Sequence, residues 1–244
     1  MILAVDCGNS RLKWGLHDQS GWIKTGSVPL SGLATLGSAW KKIPPADQIV
    51  VANVAGQSAR KRLENVLSRQ VAARIWVTAR RRQCGVTNGY GRPAQLGADR
   101  WAALIGAWSM LRGPCLVVAA GTATTVDTLR SDGTFAGGLI LPGVELMKQS
   151  LAHNTAGLPL ARGRFSGAPR NTADAIESGC VLAQAGAIER AFAAMEPGAA
   201  CVVAGGAARR IAPHLGIPVR LADNLVLEGL VRIAGEPPEQ SESP

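Results

Sequence analysis

The sequence predicts an α/β fold built from two copies of one domain, with a ligand cleft between the copies. Leu3-Ala4-Val5-Asp6-Cys7-Gly8-Asn9-Ser10 lines up with Leu116-Val117-Val118-Ala119-Ala120-Gly121-Thr122-Ala123, and each opens a strand, a Gly-containing turn and further strands. Val50-Val51-Ala52-Asn53 before a helical segment likewise parallels Val202-Val203-Ala204-Gly205. Any two buried strands look alike, but two matches in the same order favour duplication. The expected domains are 1–112 and 113–234, followed by an acidic, Pro-containing tail over 235–244 that is expected to be disordered.

Each element follows from local pattern. Residues 2–7 form a short apolar run suited to a buried strand, and 11–17 and 22–28 add two more around a Ser20-Gly21 turn. A helix is expected over 31–41, a strand over 49–54 and an amphipathic helix over 57–70 with Leu63, Val66 and Leu67 on its apolar face. A strand at 74–78 leads into a Gly/Pro-rich loop over 80–96. A helix rich in Ala, Leu and Trp then covers 98–111 and stops at Gly113-Pro114. The second half begins with a strand at 115–120. Strands near 124–130 and 134–141 follow, joined by an Asp132-Gly133 turn. A helix over 143–152, a polar loop containing Gly163, Gly167 and Pro169, and a long helix over 173–195 come next. The pattern closes with a strand at 200–204, a helix at 206–213, a strand at 218–222 and a helix at 223–233.

Composition narrows the class. Of 244 residues 47% are hydrophobic, enough for a substantial core. No run approaches the roughly 18 apolar residues of a membrane helix, and Asp6 interrupts the first apolar stretch, so it is expected to be a strand and not a signal peptide. The five cysteines (7, 84, 115, 180 and 201) are scattered and form no C-x-x-C pair. This argues against a zinc site or disulfide framework and for a reducing cytoplasm. His17, His153 and His214 lack metal-ligand spacing. The net charge of +9 is uneven: residues 1–112 hold 16 Lys/Arg against 5 Asp/Glu, and 113–244 hold 10 against 12. A basic half suits anionic partners, either a nucleic acid or ATP with an anionic small substrate. No recognised nucleic-acid module is present, which favours the second. Arg80-Arg81-Arg82, the densest cluster, is expected to be a solvated loop.

Three motifs carry chemistry. In Asp6-Cys7-Gly8-Asn9-Ser10-Arg11-Leu12-Lys13 a strand ends and turns back. Gly8 lets the backbone approach a phosphate, Asn9 and Ser10 supply short donors, Lys13 supplies positive charge, and Asp6 can orient a metal ion or water. Gly121-Thr122-Ala123-Thr124 stands at the matching place in the second half. Gly205-Gly206-Ala207, between strand and helix, allows close approach of a flat ring. Two phosphate-type turns are far more specific than one.

Together these motifs resemble the actin-like ATPase and sugar kinase superfamily, whose fold is a pair of ribonuclease H-like domains. The stretch Asn88-Gly89-Tyr90, Pro93 and Leu96-Gly97-Ala98-Asp99-Arg100 resembles the type III pantothenate kinases. So do Gly137-Gly138, Pro142-Gly143 and Asn171-Thr172-Ala173-Asp174. That family includes chains described as Bvg accessory factors. The resemblance spans about residues 2–233. It implies transfer of the ATP γ-phosphoryl group to pantothenate, in coenzyme A synthesis, with Mg-ATP as co-substrate. It places ATP on Asp6 to Lys13 and Thr122, and pantothenate on Tyr90, Gly97, Ala98, Asp99, Arg100 and Thr172. Asp99 is then the proton acceptor, and Thr172 acts across a homodimer interface. Independently, Asp99 opens a helix, where the dipole favours a carboxylate, and Arg100 suits a substrate carboxylate. One residue departs from the family pattern: Ala119 stands where the family usually has an Asp that helps bind K⁺ or NH₄⁺. No partner nucleic acid, membrane or metal-binding side-chain set is expected. The alternatives are an accessory regulator on the same fold and a superfamily phosphatase; Asp6, Lys13 and Asp99 argue against the first, the Tyr90–Arg100 segment against the second.

Overall fold

The structure, a computed structural model, describes residues 1–68, 72–160 and 162–236. The chain forms two units, Met1–Ser109 with Val226 onward, and Met110–Leu225.

In the first unit β1 (Ile2–Cys7), β2 (Arg11–Asp18), β3 (Gly21–Pro29), β4 (Gln48–Asn53) and β5 (Ala73–Trp76) form a sheet in the order β3-β2-β1-β4-β5. The first three run as an antiparallel meander, while β4 and β5 pair in parallel. The core gathers Leu3, Val5, Cys7, Leu12, Trp14 and Leu16 with Ile49 and Val51. Leu63 and Leu67 of α2 (Gly56–Leu67) pack against it, as does Trp40 of α1 (Leu36–Trp40). The helix expected over 31–41 is a 3-10 segment, Leu30–Thr35, that leads into the short α1. The loop over 80–96 holds an unexpected hairpin, β6 (Arg82–Gln83) with β7 (Val86–Asn88). α3 (Ala98–Leu111) is buried on nearly every side from Trp101 to Ala107, which explains its almost uniformly apolar sequence.

The second unit repeats the plan. β8 (Cys115–Ala120), β9 (Ala123–Leu129), β10 (Thr134–Pro142), β11 (Ala200–Ala204) and β12 (Val219–Ala222) stand in the order β12-β11-β8-β9-β10. β8, β9 and β10 are again antiparallel, and β11 and β12 again parallel. α4 (Val144–Asn154), α5 (Thr172–Phe192) and α6 (Ala208–Ile211) contribute to its core with Leu116, Val118, Val126, Val181, Ile188 and Val203. α6 is shorter than expected and continues as the 3-10 turn Ala212–His214, where Pro213 stands.

α7 (Leu225–Ala234) was expected to close the second domain, but from Val226 it belongs to the first unit. Leu227, Leu230 and Ile233 are buried, and Trp22 Nε1 on β3 donates to Glu228 Oε1 at 2.5 Å. From 237 on, the expected disordered tail lies outside the described residues.

Candidate phosphotransfer site

The first hairpin closes where Gly8 N donates to Arg11 O at 3.1 Å. Antiparallel register sets Asp6 directly across from Lys13, so both side chains share one face of the sheet. Asn9, Ser10 and Arg11 are exposed, and Arg11 Nε donates to Ser27 Oγ at 3.0 Å. Cys7 and Leu12 are fully buried among the core side chains. Of these two expected ATP contacts, only the backbone is available.

Asp99 stands in the first turn of α3 and accepts from Arg100 N at 2.8 Å through Oδ1. A Cβ at position 97 would lie 2.6 Å from Asp99 Oδ1 and 3.6 Å from Val54 Cγ1. A side chain at position 97 would therefore push the Asp99 carboxylate aside. Val54 N donates to Cys7 O at 3.0 Å, which ties the same neighbourhood to the end of β1. Asp6 and Asp99 are close enough to repel. Burial first, then the charge of Asp99, raise the Asp6 carboxyl to about 7 against the pull of Lys13. Burial also raises Asp99, opposed by the Arg100 N–H and the charge of Arg100. Sequence placed Asp6 and Lys13 in one motif and Asp99 in another; the fold brings them together within one unit.

Arg100 is 7% exposed, and its Nη1 donates to the Tyr90 hydroxyl at 3.3 Å. The guanidinium also lies 5.9 Å from the Tyr90 ring centroid, within cation–π range. Ala98 is buried, so its side chain serves packing. Asn88, fully buried, shapes the loop: its Oδ1 accepts from Tyr90 N at 3.0 Å and its Nδ2 donates to Pro93 O at 3.3 Å.

Thr122 and Thr172 lie in the second unit. Thr122 is exposed on a hairpin closed by Gly121 N donating to Ala123 O at 3.0 Å, and its carbonyl accepts from Gly143 N at 2.9 Å. The Gly205-Gly206-Ala207 loop folds onto the end of β8. Ala207 N donates to Ala120 O at 3.1 Å. Gly205 has φ +102°, and a Cβ there would meet Ala120 O at 2.3 Å, so only glycine fits. Thr172 is exposed as the first residue of α5, behind the Asn171 cap that accepts from Asp174 N at 2.9 Å. Ala119 pairs with Thr125, whose buried Oγ1 has no hydrogen-bond partner among the described residues, and Asp127 is on the same face two pairs along, opposite Val117.

Sequence reasoning missed a charged network in this unit. Lys148 Nζ on α4 donates to Glu177 Oε2 on α5 at 2.9 Å, and Arg210 Nε on α6 donates to Glu177 Oε1 at 2.6 Å. Arg210 also pairs with Glu145. No spacing rule joins residues so far apart. Among the described residues, no group of three or more His, Cys, Asp or Glu could hold a metal ion, and no helix is long and apolar enough to cross a membrane.

The repeated strand order, with a Gly-containing hairpin opening each copy, is the fold of the actin-like ATPases and sugar kinases. Solved structures share the fold. A protein assigned to the Baf family of transcriptional activators from Campylobacter jejuni gives a TM-score of 0.63 at 21% identity, covering 95% of this chain and 96% of the other. One assigned as a 2-dehydro-3-deoxygalactonokinase from Sinorhizobium meliloti gives 0.63 at 16%, covering 96% and 98%. MreB5 of Spiroplasma citri bound to ADP gives 0.51 at 12%, covering 93% and 94%. Sequence narrows the class. Residues 2–194 match the type III pantothenate kinase family. The type III pantothenate kinase of Aromatoleum aromaticum is 51% identical over 97% of this chain and 98% of its own length. That of Azoarcus sp. is 52% identical over 96% and 90%. The chain belongs to the type III pantothenate kinase family.

Proposed function

We propose that this chain transfers the γ-phosphoryl group of ATP to the primary hydroxyl of (R)-pantothenate, giving 4′-phosphopantothenate and ADP. The observation that carries the reading is the convergence of Asp6, Lys13 and Asp99 at the first hairpin, beside a buried Arg100. Asp99 accepts the hydroxyl proton as the oxygen attacks phosphorus in line and the bond to ADP breaks. Its raised basicity suits that task near neutral pH. Lys13 and the hairpin amides offset phosphate charge, and Arg100 pairs with the pantothenate carboxylate beside Tyr90. Asp6, beside Asp99, would hold the Mg²⁺ of bound ATP, which would offset charge on the phosphates. Thr122 contacts the nucleotide. A coupled assay for ADP tests the reading: release is expected only when pantothenate is present. ADP release indifferent to pantothenate would overturn it.

The active form is a homodimer in the cytoplasm, with Thr172 of one chain lining the pantothenate pocket of its partner. Exposed Leu139, Ile140, Leu146 and Leu182 in the second unit support an apolar contact surface. Ala119 removes the carboxylate that would make a monovalent cation site selective. Backbone carbonyls and the Thr125 hydroxyl remain, so K⁺ or NH₄⁺ activates weakly. Turnover at fixed ionic strength should be modestly higher in potassium or ammonium than in sodium or cation-poor buffer. Identical rates in all four would remove the cation from the account.

A further inference from the structure

We propose that Arg81 is a positioning residue for the phosphoryl acceptor, holding the loop that presents Tyr90 to Arg100. This rests on the assignment of the Tyr90–Arg100 segment to pantothenate. Arg81 is exposed, as expected of the three clustered arginines, and it also folds back onto its own loop. Its Nη1 donates to Asn88 O at 2.9 Å and to Tyr90 O at 3.1 Å, and its Nη2 donates to Gly91 O at 3.3 Å. Its backbone carbonyl accepts from Asn88 N at 2.8 Å. One guanidinium thus gathers three carbonyls, that of Asn88 at the end of β7 and those of Tyr90 and Gly91 in the loop that follows.

The consequence lies one step further along. Tyr90 is fixed at its backbone by Arg81 and Asn88, and its hydroxyl meets Arg100 Nη1. Arg100 is the cation assigned to the substrate carboxylate. Releasing the loop would leave Asp99 and the first hairpin in place, since they are held by β1, β4 and the start of α3. It would free Tyr90 and alter the setting of Arg100. Loss of Arg81 should therefore weaken acceptor use selectively. A lysine cannot reproduce the effect in full, because a compact ammonium lacks the planar fork that spans several carbonyls.

The test compares Arg81→Met, Arg81→Lys and, as a control on the same cluster, Arg82→Met. For Arg81→Met the pantothenate KM is expected to rise about tenfold, while kcat and the ATP KM stay within about twofold. Arg81→Lys should fall between, and Arg82→Met should match the wild type. A second readout does not depend on turnover. Tyr90 is the only tyrosine, so ring-labelled tyrosine gives one side-chain NMR signal. That signal should move or broaden in Arg81→Met and not in Arg82→Met. An unchanged pantothenate KM, an equal rise in both KM values, or an unmoved tyrosine signal would each overturn the proposal. Wild-type protein that consumes no pantothenate would overturn the kinase reading instead, and the tyrosine signal would still decide whether Arg81 anchors the loop.

Discussion

Asp99 sits where two effects compete: helix-end amides favour its charged form, and burial disfavours it and prevails. Asp99→Asn keeps the packing and removes the base, so kcat should fall by about 10²-fold or more. In the wild type, kcat/KM should fall as pH drops and Asp99 takes up a proton, with a midpoint above the ordinary aspartate value near 4. Near-wild-type turnover in a folded Asp99→Asn protein would end this assignment. Asp6 acts on stability in the opposite sense from a salt-bridged acid. In the folded protein it holds its proton up to about 7, while in the unfolded chain it ionises near the ordinary aspartate value of 3.8. Between those values the folded state binds more protons, so stability falls as pH rises through the window. The loss is on the order of a few kcal/mol. Denaturant titrations of the ligand-free protein at either end of the window should show that loss, and Asp6→Asn should remove it; equal slopes in both proteins would contradict the crowding. Asp6, Lys13, Asp99 and Arg100 were legible as candidates because residue identity suggests their chemistry. Arg81 was not, because its partners are carbonyls, which every residue has.

At the scale of elements, the sheet strands were legible from short apolar runs punctuated by glycine, and the Asp132-Gly133 turn does join β9 to β10. The β6–β7 hairpin was hidden. Its turn residues, Cys84 and Gly85, have φ of 49° and 82°, and cysteine is not a residue that signals such a turn. Glu236 Oε1 accepts from Cys84 N at 2.5 Å, a contact that no local pattern encodes. The tie between α4, α5 and α6 through Glu177 was equally silent. Burial opposes ionisation of Glu177, but hydrogen bonds from Arg210 and Lys148 outweigh it and hold its pKa below the usual value. The side chains of Glu177 and Lys148 are each only 6% exposed. Glu177→Gln leaves buried Lys148 with only the exposed Glu145 at 3.9 Å and should lower stability by about 3 kcal/mol. Removing both members, as Lys148→Met with Glu177→Leu, should be milder. Urea unfolding checks both; a single mutant no weaker than the double would show that the pair does not brace these helices.

At the scale of the whole molecule, the duplication is not a duplication of chemistry. Both units share one strand order, yet Asp6 of the first aligns with Ala119 of the second, and Asp99 and Arg100 belong to the first alone. A shared-site homodimer predicts complementation. Asp99→Asn and Thr172→Ala chains, each weak alone, should regain about a quarter of wild-type activity on random mixing, because half the dimers would carry one intact site. No recovery after confirmed subunit exchange would place Thr172 in its own chain's site or outside any site. The central claim, phosphoryl transfer from ATP to pantothenate, is tested most directly by following a radiolabel on the γ-phosphoryl group. The label should appear in a product that co-migrates with 4′-phosphopantothenate, in wild type and far more slowly in Asp99→Asn. Label released as inorganic phosphate, with pantothenate recovered unchanged, would contradict the account.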